Sequence, residues 1–177
     1  MIELVTEGVV LSRESGRRFD DRYIVFTKEA GKVTAHATGT RRIVSKLAPH
    51  LEPGTLAQLR IVRRSPDSGA RIVDALEVSR RVDGEFMSLV RGVALLAPEL
   101  ERDIPLFTVL RAGVVFGIGG SRVVRPILAR MGFDPVSASC ASCGARSVAY
   151  FVPEDILFVC RICARRLPEG REVWRLS

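Results

Sequence analysis

Four cysteines carry the sharpest chemical signal in this sequence. They stand as Cys140-Ala-Ser-Cys143 and Cys160-Arg-Ile-Cys163, two C-x2-C pairs separated by 16 residues. Each C-x2-C turn brings two sulfurs to one side of a tight knuckle, and two knuckles supply a closed tetrahedron for a soft cation. Gly144, directly after Cys143, gives the permissive backbone that such a knuckle often needs. Zn2+ is therefore the expected cofactor. Its role would be structural, because four protein sulfurs leave no open position for catalysis. Disulfides would want a secretory leader, and Met1-Ile2-Glu3-Leu4-Val5-Thr6-Glu7 carries acids where a leader carries cations and then an apolar run. A redox pair would want one C-x-x-C at a strand-to-helix junction rather than two matched ones.

No catalytic set accompanies the cysteines. His36 and His50 are the only histidines, and neither has a nucleophile arranged near it in sequence. The carboxylates are scattered, without the cluster that a metal-dependent nuclease needs. Gly117-Ile-Gly-Gly-Ser-Arg122 lacks the Gly-Lys-Ser/Thr ending of a phosphate cradle and follows a helical pattern, so it reads as a turn between helices. A binding protein rather than an enzyme is expected.

Composition sets the frame for these residues. The 177 residues are 47% hydrophobic and 27% charged, enough for one large domain or two small ones with a real core, which excludes global disorder. The apolar window at residues 112–120 is far short of the roughly 20 residues that a membrane-spanning helix needs. The expected location is the cytoplasm, with no membrane partner. The formal charge is +7, and its distribution is uneven: 14 basic against 10 acidic side chains in residues 1–80, 7 against 6 in 81–139, and 6 against 4 in 140–177. Such an excess suits a polyanion, where neutralised phosphates release counterions. On charge alone, a surface kept soluble by net charge is an equal alternative.

The elements that must position these groups change character at residue 80. Before it, five short segments at 6–11, 22–27, 32–38, 55–63 and 71–78 are rich in Val, Ile, Thr and aromatics, and several alternate apolar with polar. Glu29-Ala30-Gly31 reads as a hairpin turn, and Pro53-Gly54 as another. Residues 40–51 form a short helix or irregular crossover between the third and fourth strands. Five strands with that insertion fit an OB-type barrel, and the count also fits an SH3-like one. After residue 80 the period becomes helical: Phe86, Leu89, Val90, Val93 and Ala97 follow the N-cap candidate Asp83, and Pro98 closes the segment. A second helix is expected over 105–116 and a third within 121–131, started or kinked by Pro126 and stopped at Gly132. Residues 146–159 read as a hairpin holding the two cysteine knuckles together. The fold class is α+β, with a barrel domain at 1–80 and a helical domain at 81–177 that carries the zinc insert at 140–163.

Serial motifs add a resemblance. Thr6-Glu-Gly-Val-Val-Leu-Ser12, Asp21-Arg-Tyr-Ile-Val-Phe-Thr-Lys-Glu-Ala-Gly-Lys32, Ala37-Thr-Gly-Thr-Arg-Arg-Ile-Val-Ser-Lys-Leu47 and Leu51-Glu-Pro53 resemble, in order and spacing, the amino-terminal OB-fold barrel of the bacterial RecO family. Arg130-Met-Gly-Phe-Asp-Pro135 followed by Cys140-Ala-Ser-Cys-Gly144 is similar to the helix end that leads into that family's zinc insert. RecO proteins usually carry a longer helical domain with segments after that insert. The resemblance implies binding of single- and double-stranded DNA and annealing of complementary strands. It also implies cooperation with RecR in loading RecA onto strands coated by single-stranded-DNA-binding protein, at the nucleoid. A zinc-ribbon interaction module of transcription or the ribosome, without mediator activity, is the alternative. The DNA contacts expected in and beside the first three strands and the crossover are Arg17, Arg18, Arg22, Lys28, Lys32, Arg41, Arg42 and Lys46, interleaved with Phe19 and Tyr23. Cations track phosphates, and aromatics stack on unpaired bases. Phe26, mid-strand, is expected in the core.

Overall fold

The computed structural model describes residues 1–16, 19–65, 68–119 and 121–176. Five antiparallel or parallel-paired strands form the amino-terminal part: β1 (Ile2–Ser15), β2 (Asp21–Thr27), β3 (Gly31–Ala37), β4 (Thr55–Arg63) and β5 (Ala70–Arg80). They close in the order β1-β2-β3-β5-β4, with β1 hydrogen-bonded to both β2 and β4. One strand can serve two neighbours because it is 14 residues long and its register shifts between Val10 and Ser12; an irregularity of this kind bends a strand. The closing seam is the short parallel pairing of Ala35 with Ala70 and His36 with Arg71. Every expected strand overlaps an observed one. The first is longer than 6–11 at both ends, because residues 2–5 pair with β4 and residues 12–15 pair with β2.

Alternation along the strands divides the apolar residues between two cores. Val10, Tyr23, Val25, Val33, Leu59, Ile61 and Ile72 fill the barrel. Val9, Leu11, Phe26 and Leu56 belong to a second cluster, shared with the helices. This follows from the two-residue period of a strand: Val10 points to one face, and Val9 and Leu11 to the other. Packing therefore runs across the expected boundary at residue 80. At the β2–β3 turn Gly31 has φ +65°, and a Cβ there would lie 1.8 Å from the Glu101 carbonyl oxygen. The close approach is fixed by the Leu100 N–H donating to the Lys32 carbonyl at 2.8 Å.

Three helices follow the barrel, the first starting at the expected cap. Helix α1 (Gly84–Leu96) is capped by Asp83, whose carboxylate accepts the Phe86 N–H at 3.1 Å. Helix α2 (Ile104–Phe116) is capped by Asp103 on the Leu106 N–H at 2.9 Å and ends on Gly117 at φ 66°. Helix α3 (Ser121–Arg130) contains Pro126, and Gly132 follows at φ +83°. The segment between α2 and α3 is held by Arg81, which donates to the carbonyls of Gly113 at 3.0 Å and Ile118 at 2.9 Å. This agrees with a turn between helices at Gly117.

The carboxyl-terminal part is a small sheet of β6 (Tyr150–Val152), β7 (Leu157–Val159) and β8 (Trp174–Arg175), in the order β7-β6-β8, with the four-residue helix α4 (Arg161–Ala164) after β7. β6 and β7 are the expected hairpin. Strand β8 has no sequence signal beyond one Trp. Trp174 is 3% exposed and lies so close to α1 that a Cβ on Gly92 would sit 2.0 Å from its ring. Phe151 stacks within 5.9 Å of Trp174 and 5.5 Å of Phe133. These rings join the cysteine unit to the helices.

Candidate metal centre and nucleic-acid surface

The two knuckles converge because backbone hydrogen bonds shape each one. Cys140 donates its N–H to the Ala145 carbonyl at 2.8 Å, and Gly144, at φ +73°, donates to the Cys140 carbonyl at 2.8 Å. In the second knuckle Cys160 caps α4, its sulfur accepting the Cys163 N–H at 3.5 Å. The hairpin ties the pair, with Ala141 N–H on the Phe158 carbonyl at 2.9 Å. All four sulfurs lie within 4.8 Å of one another. The Cys143–Cys160 Sγ separation is 3.8 Å, whereas a disulfide needs about 2.05 Å. A tetrahedron with Zn–S near 2.3 Å has an edge of about 3.8 Å, so the donor set fits zinc in number, softness and spacing.

The sulfurs are also tuned unevenly. The Cys140 thiol is lowered to about 6, first by the Cys160 backbone N–H, and Cys160 is lowered, first by the Cys163 N–H. Cys163 is pushed up to about 12 by hydrogen bonds with the Cys143 and Cys160 sulfurs. N–H donors favour thiolates here, and crowded sulfurs oppose ionising all of them together. A divalent cation at the centre relieves that conflict. The four cysteines are thus a site that could hold a metal ion.

The expected DNA contacts divide into groups. Arg17 and Arg18 lie outside the described residues. Phe19, Arg22, Arg41 and Arg42 share one end of the barrel: the Arg41 N–H donates to the Phe19 carbonyl at 3.1 Å, and the Arg42 guanidinium lies 5.8 Å over the Phe19 ring. Phe19 is 55% exposed. Arg22 is exposed beside His36 and paired with Glu14 at 2.6 Å. Lys46 is exposed in the same crossover that carries Arg41 and Arg42. Lys28 is exposed at the opposite end of β2, about 20 Å away at the rise of a strand.

Two of the expected contacts are overturned. Tyr23 is 0% exposed among the barrel's interior residues, so its ring cannot stack on a base at the surface. Lys32 is 8% exposed and donates from Nζ to the Ala94 carbonyl of α1 at 3.0 Å; it joins barrel to helix. Both sit on strands where a polar atom at the tip of a long side chain concealed an inward position. Phe26, at 1% exposure, is in the core as expected.

A residue that sequence reasoning missed holds this end together. Asp21 is buried, and its Oδ2 accepts from Arg13 Nε at 3.0 Å and from Thr40 Oγ1 at 2.9 Å, while Arg41 Nε lies 3.6 Å from Oδ1. Burial pushes its pKa up, but the Thr40 and Arg13 hydrogen bonds and the nearby guanidiniums outweigh that and leave it lowered. Next to it, Asp20 accepts the Gly39 N–H at 2.9 Å. The acidic pair at the start of β2 was the available signal: one carboxylate meets the Gly39 N–H and the other meets Thr40 and Arg41 at the head of the crossover.

Known proteins match this chain in sequence along most of its length. The chain is 30% identical to the DNA repair protein RecO of Desulforudis audaxviator across 97% of its own length and 74% of that protein. The chain belongs to the RecO family. A second RecO, from Bifidobacterium longum subsp. infantis, is 30% identical across 81% of this chain and 67% of its own. No protein-family model matches the chain. Membership of the RecO family agrees with the motifs of residues 6–53 and 130–163. Among the described residues no helix is long and apolar enough to cross a membrane.

Proposed function

We propose that this RecO-family chain binds DNA at the barrel end carrying Phe19, Arg22, Arg41, Arg42 and Lys46, and acts in DNA repair and recombination by annealing complementary strands. The observation that carries this reading is the joined presentation of an exposed ring and several cations by a hairpin and crossover locked to Asp21. Cations without base-specific partners hold the phosphate backbone, and a ring such as Phe19 can stack on any unpaired base, for about 1–3 kcal/mol. The closed five-stranded order with a crossover between β3 and β4 supports reading the barrel as OB-type. In this reading the protein works by binding, in the cytoplasm at the nucleoid, with Zn2+ as a structural tie between Cys140, Cys143, Cys160 and Cys163. Its protein partners would be RecR and the single-stranded-DNA-binding protein, on the way to loading RecA.

A strand-annealing assay on complementary strands, bare and coated with single-stranded-DNA-binding protein, tests the reading. A RecO-type factor accelerates annealing of both. Binding without acceleration of either would leave an interaction module in its place.

A further inference from the structure

We infer that the cysteine unit carries a second site for the phosphate backbone of a single DNA strand, built by Arg161, Arg165 and Arg175. A groove of about 540 Å³ beside the second knuckle is lined by these three with Arg171, Tyr150 and Leu167. Arg171 is already paired with Glu154 and Asp155. Arg161, Arg165 and Arg175 are exposed and make no side-chain hydrogen bond or ion pair among the described residues. Arg13, Arg22, Arg60, Arg91, Arg111 and Arg130 each face a carboxylate. Arg102, Arg122 and Arg146 are exposed without one, and what sets Arg161, Arg165 and Arg175 apart from these is that all three line one groove.

Unmatched cations gathered around one groove repel one another, so folding gains nothing from bringing them together. A polyanion gains from it, because each neutralised phosphate releases a counterion. The planar guanidinium suits phosphate better than an ammonium does, and half-buried Tyr150 offers an aromatic edge at the same groove. The knuckle helix places Arg161 and Arg165, and the small sheet places Arg175. Arg161 opens α4 directly after Cys160, and Arg175 pairs with Tyr150 across the sheet that continues into β7. The unit that holds the metal therefore also holds the charges.

This inference rests on the DNA-binding reading for the class of ligand, and the test separates the two. Fluorescence anisotropy of labelled oligo(dT) is followed across salt with the zinc-loaded full chain, the variant Arg161→Ala with Arg165→Ala and Arg175→Ala, and the barrel variant Arg42→Ala with Lys46→Ala. The expected result is a log–log salt slope shallower by about 2 in the triple variant, at about 0.7 per lost phosphate contact on a single strand. Zinc content and circular dichroism should be unchanged. Arg175→Ala alone, outside the knuckle, should lose about 0.7 and covers the case where the triple variant fails to fold. A wild-type slope in both arginine variants with the barrel variant weakened would overturn the second site and leave the barrel reading standing. No binding by the unaltered chain would overturn both. Loss of binding to a poly-glutamate peptide, with oligo(dT) binding intact, would overturn the choice of nucleic acid.

Discussion

Replacing Asp21 by Asn removes one buried charge while keeping the shape of the side chain, and the structure sets what that should cost. The carboxylate is 1% exposed and holds Arg13 at 2.8 Å. Breaking a fully buried ion pair costs about 3–5 kcal/mol. Here the cost is smaller: the Arg13 and Arg41 side chains are 28% and 37% exposed and can be rehydrated, and Arg13 keeps Glu52 at 2.7 Å. About 2 kcal/mol remains, which for a chain of this size lowers Tm by roughly 4–8 °C. In urea, the midpoint should fall with an unchanged slope. The pH dependence has a definite sign. Asp21 is lowered in the folded state, so its stabilisation is complete above the unfolded carboxylate value near 3.9 and is lost as pH falls through its lower folded value. The gap between wild type and variant should be constant from about pH 5 to 7 and close in the acid range. Equal midpoints at pH 7, or a gap that widens with acid, would refute the reasoning.

Two further outcomes follow from the other end of the molecule. Gly92→Ala places a methyl where the Trp174 ring now lies, so overpacking should cost about 1–3 kcal/mol, read as a lower urea midpoint; Ala at the exposed Gly84, with open space around it, should not destabilise. Untagged protein should contain one zinc per chain, and Cys143→Ser should abolish stoichiometric zinc and lower Tm, because a structural zinc site contributes folding energy directly. Folded, zinc-free protein with four titratable thiols would remove the metal centre.

Much of this architecture was legible because local rules and packing agree. Asp83 precedes apolar residues at helical spacing and caps α1 as expected, whereas Asp103, which no expectation had singled out, caps α2. The two C-x2-C pairs place four sulfurs together because each knuckle is closed by its own backbone bonds. Less legible were features set by distant partners. Nothing adjacent to Lys32 announces that its ammonium meets the Ala94 carbonyl, and nothing near Tyr23 says which face of β2 turns inward. Trp174 makes a strand only because Phe151 and Gly92 receive it. For the surface, type and spacing found the cations, but only the fold separates Lys28 from Arg41 and Arg42, and only the fold shows that Arg41 is anchored to Asp21. Reversing both Arg41 and Arg42 to Glu should weaken DNA binding and flatten its salt dependence, but it would also set an acid against that buried carboxylate. Arg42 and Lys46 make the cleaner pair.

The central claim, that this barrel end holds a DNA strand by its phosphates, is tested most directly by the salt dependence of oligo(dT) affinity in Arg42→Ala with Lys46→Ala. Two lost contacts should weaken binding at low salt and reduce the slope by about 1.4, with the urea midpoint unmoved. Affinity and slope equal to those of the unaltered chain would contradict the account.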